Sequence, residues 1–417
     1  MTKPFFTNDA IVIGILMTIL VVIFVTSNSE RKFFKKFYTY VPALLLCYFI
    51  PGLFNWPLGL ISGEHSQLYF VASRYFLPVS LVLFCLGIDF KGILKLGPKA
   101  LVMFLTATVG IVIGAPVALW IGSMIFPDIK MAASGEEIWR GLSTVAGSWI
   151  GGGANQTAMK EIYECSDALF STFIIIDVVV ANIWMGFLLY GAGISNKIDK
   201  KLKADNSAIE ELKLRVENHR AKIERVPSTT DIFIILGIGF GVTALAHWGA
   251  DEISAYTQNH MAFLNKFNLS SLASDFFWMI VIATTLGLLL SFTRLKSYEG
   301  AGASRFGSVF IYILVATIGM KMNILEAIQN LHFFIVGLIW MAVHVSLLLI
   351  VARLVKAPFF FIAVGSQANV GGAASAPIVA SAFSNALAPV GVLLAVLGYA
   401  LGTYGAIMAT QLMQWGQ

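Results

Sequence analysis

Apolar residues in this chain run on for roughly one bilayer crossing at a time, broken by short polar or basic stretches, and do not recur at the spacing of an amphipathic helix or strand. A helix needs about 20 such residues to cross the hydrocarbon core. Runs near that length lie at 10–26, 38–55, 68–88, 99–124, 167–193, 231–249, 275–293, 305–322, 331–352 and 386–412. The pattern predicts an all-α polytopic membrane protein with about ten transmembrane helices. The first run, Ala10 to Val25, follows Asn8-Asp9, lacks a small-residue cleavage site and precedes Arg31-Lys32-Phe33-Phe34-Lys35-Lys36. It therefore reads as a first span held by a basic anchor and not as a signal peptide.

Two segments, 141–163 and 357–383, break the pattern, because each is apolar but carries glycine and polar residues together. Gly147-Ser148-Trp149-Ile150-Gly151-Gly152-Gly153 recurs as Gly365-Ser366-Gln367-Ala368-Asn369-Val370-Gly371-Gly372 at an offset of 218. At that offset Ala376 falls on Ala158, and Ser384-Asn385-Ala386-Leu387 falls on Ser166-Asp167-Ala168-Leu169. A weaker echo at offset 232 relates Leu86-Gly87-Ile88-Asp89-Phe90 to Ile318-Gly319-Met320-Lys321-Met322. Such self-similarity predicts a duplication, residues 1–194 forming one half and 230–417 the other.

Whether the glycine segments cross or turn back follows from the positive-inside rule. If both cross, the 28 lysines and arginines divide 10 against 18 with no consistent orientation. If each enters and leaves on one side, 21 of the 28 collect on the cytoplasmic side, nine of them in the linker 195–229. The two halves are then inverted relative to each other, with a re-entrant or broken helix in each. The N-terminus lies outside and the linker is cytoplasmic. Within the linker, Ile209, Leu212, Val216 and Ile223 step along one face of an amphipathic helix.

Composition narrows the class further. The chain is 58% apolar and only 12% charged, about half the charged fraction of a soluble domain. The net charge of +5 comes from loop residues that set topology, so no nucleic-acid partner is expected. Cys47, Cys85 and Cys165 have neither disulfide-framework nor zinc-site spacing. No phosphate-binding loop or metal-ligand motif occurs, so neither an enzyme, a resident metal nor a cofactor is expected.

Irregular backbone survives at membrane depth only where protein buries it or it lines a cavity. The two glycine tips are accordingly the candidate substrate and ion site: Ser148, Gly151, Gly152, Gly153, Asn155 and Gln156 in the first, with Thr157 just beyond. Ser366, Gln367, Asn369, Gly371 and Gly372 form the second. Broken helices offer carbonyls to a cation and N–H groups to a carboxylate, and a transient Na⁺ at the tips is expected. Asp177 lies about ten residues, or ~15 Å, into its helix. A carboxyl at that depth is by default a proton relay or cation ligand. Asn182 is the second ion-coupling candidate, although it projects from another face of that helix. Arg74 either snorkels or attracts an anion, His344 and His247 are expected to be structural, and Lys321 and Asp89 to anchor helix ends.

The paired glycine runs resemble domain-of-unknown-function family 819 over nearly the whole chain, a family grouped with the cation–proton antiporters and anion transporters. The architecture is also similar to sodium–glutamate and 2-hydroxycarboxylate carriers, where Gly151 to Gly153 and Gly371-Gly372 match re-entrant glycine loops. Asp177 resembles the intramembrane acid of the antiporters, although Val178 stands where a second acid often follows. The resemblance implies a secondary carrier in a bacterial inner membrane, working by alternating access as an elevator-type symporter and forming a homodimer. Its cargo would be a small anionic solute, such as an amino acid, short peptide or carboxylate, coupled to Na⁺ or H⁺. A monovalent cation–proton antiporter is the alternative, and a receptor or channel a third class.

Overall fold

A computed structural model describes residues 4–41, 43–88, 93–94, 96–132, 135–204, 226–266, 270–321, 333–384 and 387–415. Asp89, Met322, Asn385, Ala386 and the amphipathic stretch 209–223 lie outside the described residues. Among the described residues the fold is helical, with one isolated bridge between Met131 and Glu137 and no strand.

The first half contributes α1 (Asp9–Ser27), α2 (Lys32–Tyr40), α3 (Ala43–Asn55), α4 (Leu68–Leu86), α5 (Pro98–Ile125), α6 (Ile138–Ile162) and α7 (Asp167–Gly193). A short basic helix, α8 (Ser195–Leu202), opens the linker. The second half contributes α9 (Thr229–Gln258), α10 (Asp275–Leu290), α11 (Ala303–Gly319), α12 (Phe333–Leu354), α13 (Phe359–Val370), α14 (Gly372–Ser381) and α15 (Ala388–Trp415). Polar residues start these helices where the apolar runs begin. Asn8 accepts from Ala10 N at 2.9 Å, Ser166 accepts from Leu169 N at 3.2 Å, and Ser228 forms a reciprocal capping box with Asp231.

Among the described residues, seven helices are long and apolar enough to cross a membrane: α1, α4, α5, α7, α9, α12 and the stretch Val390–Trp415 of α15. The other three expected spans form α3, α10 and α11, of 13, 16 and 17 residues. At 1.5 Å per residue these reach only about 20 to 26 Å. α10 stops short because the chain bends by 96° into the 3-10 stretch Arg294–Ala301.

Helix packing falls into two bodies. α1, α3, α4, α9, α10 and α11 pack on one another, and so do α5, α6, α7, α12, α13, α14 and α15. Each body takes its helices from both halves of the sequence. They meet where α4 and α10 lie against α6 and α15. Across that seam Phe84 stacks on Tyr399 with ring centroids 4.4 Å apart, and Thr285 Oγ1 lies 2.6 Å from Tyr404 Oη.

Candidate functional site

Both glycine segments fold back on themselves. Within α6 the chain reverses at Gly152, whose φ of 74° and ψ of −174° suit glycine and strain any other residue. A Cβ added to Gly147 would meet the carbonyl of Asn155, eight residues on, where a straight helix would hold the two ~12 Å apart. The same test applies to α13 and α14, since Gln367 Nε2 donates to Ser375 Oγ at 2.7 Å across Gly371 and Gly372. No arm of either hairpin is long enough to cross a bilayer alone. At the turns, nothing lies within 4 Å of a Cβ added to Gly153 or Gly372, so each break borders open space.

Asp177 joins the two arms of the first hairpin. Its Oδ2 accepts from Ser148 Oγ at 2.6 Å and from Gln156 Nε2 at 3.0 Å, and its Oδ1 accepts from Trp149 Nε1 at 2.7 Å. Ser148 and Trp149 precede the break and Gln156 follows it, so one carboxyl spans the turn. The group is only 6% exposed, and among the described residues no cationic side chain pairs with it. Three neutral donors orient a carboxylate without neutralising it, and that leaves a buried charge open to a proton or a cation.

The other residue of the first tip serves packing. Asn155 donates to Gly151 O at 2.9 Å and Tyr399 O at 3.0 Å while accepting from Thr403 Oγ1 at 2.6 Å. A Cβ on Gly402 would sit 2.6 Å from Gly151 Cα, so α15 crosses the break at backbone contact. One turn earlier, a Cβ on Gly398 would lie 2.6 Å from Ile150 O and 3.6 Å from Ala368 O. The two hairpins thus bring carbonyls from the ends of their first arms to one place. Helix C-termini carry unsatisfied carbonyls and the negative end of the dipole.

The second tip is largely committed to protein partners. Trp184 Nε1 donates to Ser366 Oγ at 2.8 Å, Ser366 lies 2.8 Å from His344 Nε2, and His344 Nδ1 lies 3.1 Å from Ala107 O. A carbonyl can only accept, so Nδ1 carries the proton. With both ring nitrogens bonded to protein, His344 fits a structural role. Asn369 accepts from Thr108 at 2.8 Å and donates to Phe104 O and Gly365 O at 3.2 and 3.0 Å. Gln367 Oε1 is buried without a hydrogen-bond partner. Asn182 donates to Val178 O within its own helix at 2.7 Å, outside the Asp177 group.

One group escaped the sequence reading. Lys160 and Glu161 close the first hairpin and Asp167 opens α7. Lys160 Nζ lies 3.0 Å from Asp167 Oδ1, 3.3 Å from Glu161 Oε1 and 3.0 Å from Tyr69 Oη. Tyr69 also bonds Glu161, Lys321 Nζ lies 2.9 Å from Asp167 Oδ2, and Arg74 Nη1 stands 3.6 Å from Glu161 Oε2. Arg74 further lies over the Phe276 ring at 4.3 Å, and its carbonyl sits 2.9 Å from His247 Nε2. In sequence, Lys160-Glu161 reads as a solvated helix end. The available signal was their position, between a broken helix and an apolar one with hardly any loop.

Fold and geometry define a polytopic α-helical membrane protein with two broken hairpins meeting inside a two-body bundle. The chain belongs to the family described as "Protein of unknown function (DUF819)", whose model matches residues 14–415. It is also similar to the "Uncharacterized membrane protein YjcL" of Bacillus subtilis (strain 168), at 23% identity over 357 residues, covering 83% of this chain and 84% of that one. The resemblance to this family and the integral-membrane reading therefore stand, and a transporter is consistent with both.

Proposed function

We propose that the protein is an ion-coupled secondary carrier of a small anionic solute, with Asp177 as the coupling group. The observation that carries this is the buried, cation-free carboxyl of Asp177 bonded to both arms of the first hairpin. Protonation or cation binding there changes the charge that Ser148, Trp149 and Gln156 see, and with it the geometry of the turn. The converging Ile150 and Ala368 carbonyls supply cation ligands, and the unpartnered Gln367 oxygen is a further acceptor. The body holding both hairpins moves against the other as an elevator, the two halves being inverted repeats. The setting is a bacterial inner membrane, with the N-terminus outside, the linker 195–229 inside and the first body forming a homodimer.

A second reading, monovalent cation–proton exchange, is favoured by the second tip. A carboxylate solute needs free donors, and those of Ser366 and Asn369 are already spent on protein. One experiment addresses both readings. Purified protein and Asp177→Asn are melted in Na⁺, Li⁺, K⁺ and choline at constant ionic strength and several pH values, with and without amino acids, dipeptides and dicarboxylates. A ligand at about 100 times its dissociation constant stabilises by about 2.7 kcal/mol. Solute stabilisation that needs both a cation and Asp177 supports symport, and cation stabilisation competed by protons supports exchange. Identical melting of both proteins under every condition refutes the coupling role.

A further inference from the structure

The six groups around Lys160 bridge the two bodies. Lys160, Glu161 and Asp167 belong to the hairpin body, and Tyr69 and Arg74 belong to α4 of the other. Lys321 follows the end of α11, its side chain passing where a Cβ on Gly63 would sit. Asp167 begins α7 ten residues before Asp177, so the cluster lies about 15 Å along that helix from the candidate coupling group.

Two features distinguish this cluster from a permanent tie. Asp167, Arg74 and Lys321 have side chains 31%, 29% and 23% exposed, so water can replace each partner as the bodies part. Lys160, at 6%, is the deeply buried member, and it contacts Glu161 and Asp167 on its own body as well as Tyr69 across the seam. Separation therefore leaves no buried ammonium without a carboxylate. On the far side Arg74 keeps the Phe276 ring. Elsewhere the same hairpin meets α15, within its own body, by backbone contact at Gly151 and Gly402, which water cannot enter.

We infer that this cluster is a releasable ion-pair latch, holding the first hairpin and α7 against α4 and α11 on the face from which that hairpin enters. Its opening is the step that admits that face to the site. The inference rests on the carrier reading for its moving body, but its readout requires no transport.

Cys165 reports the latch in place, because it sits between α6 and α7, only 3% exposed. Burial, and then the Glu136 carboxylate, hold its thiol well above the ordinary range, so the closed form is unreactive. Maleimide labelling of the full-length protein in nanodiscs is followed site by site by mass spectrometry. Lys321→Gln speeds Cys165 labelling by about fivefold, the effect of losing one partly exposed pair, and Asp167→Asn, which also removes the Lys160 pair, speeds it at least as much. The double variant is no faster than Asp167→Asn alone, and the charge-conserving Lys321→Arg keeps labelling slow. Cys47, buried in α3 of the other body, serves as the control. An unchanged Cys165 rate overturns the latch. So does a parallel rise at Cys47, which would make the cluster a support of the whole fold, and so do fully multiplicative effects of the two substitutions. Absence of any Asp177-dependent cation response in the melting assay would sink the carrier reading and leave this result standing.

Discussion

Replacing Asp177 by alanine tests the hairpin geometry directly. The substitution removes one acceptor group and strands three buried donors, the Ser148 hydroxyl, the Trp149 indole and the Gln156 amide. Each stranded donor costs about 1–3 kcal/mol. Residues in one network do not add independently, so the expected loss is nearer the low end of the sum, about 3 kcal/mol. Against this stands the relief of removing an unpaired buried charge, which Asp177→Asn obtains while keeping one acceptor oxygen. Asp177→Ala should therefore melt several degrees below wild type, and Asp177→Asn close to it or above it. Both should be blind to cations. The assay is thermal unfolding in a non-ionic detergent followed by tryptophan fluorescence, in choline and in Na⁺ buffers. If Asp177→Ala melts with the wild type in choline, the carboxyl does not hold the hairpin and the reasoning fails.

Three further outcomes follow from other contacts. Gly402→Val drives a side chain into Gly151 Cα and the Asn155 amide and should cost well over the ~1–3 kcal/mol of ordinary overpacking, whereas Gly241→Ala, with nothing within 4 Å, should be silent; the yield of monodisperse protein compares them. Asp199→Ala removes the carboxylate that accepts Phe359 N–H at 2.7 Å, which should cost about 1–3 kcal/mol and raise hydrogen exchange at the start of α13; unchanged protection there would dismiss the linker as a support of the second hairpin. Ser366→Ala breaks the Trp184–Ser366–His344 chain and leaves two buried ring nitrogens unpaired, for a loss of about 2 kcal/mol in the same melting assay, while Asn182→Ala should cost much less.

What the sequence disclosed was whatever has a one-dimensional signature. Long apolar runs gave the helices. Glycine doublets beside polar residues located both breaks, because φ near +74° at Gly152 and +59° at Gly372 demands that residue type. Asp177 stood out because charge is costly at its depth. Pairing across the fold was another matter. That Thr403 would accept the role of partner to Asn155, or Thr108 to Asn369, depends on which helices cross, and no local pattern encodes it. Asn182, expected on another face of the helix than Asp177, donates to Val178 O and stays outside the Asp177 group. Lys160 and Glu161 were hidden because a Lys-Glu pair at a helix end usually faces water. Only packing against Tyr69 and Arg74 makes it otherwise. Hydropathy likewise did not register the 96° bend that ends α10.

The contacts of Asn155 also set an order on synthesis. Its partners Tyr399 and Thr403 lie 244 and 248 residues downstream, so they emerge only as α15 is made. Until then the Asn155 amide has only Gly151 O as partner, and the glycine backbone that Gly402 meets lacks its cover. A chain cut short before Tyr399 leaves that side of the first hairpin without its neighbour.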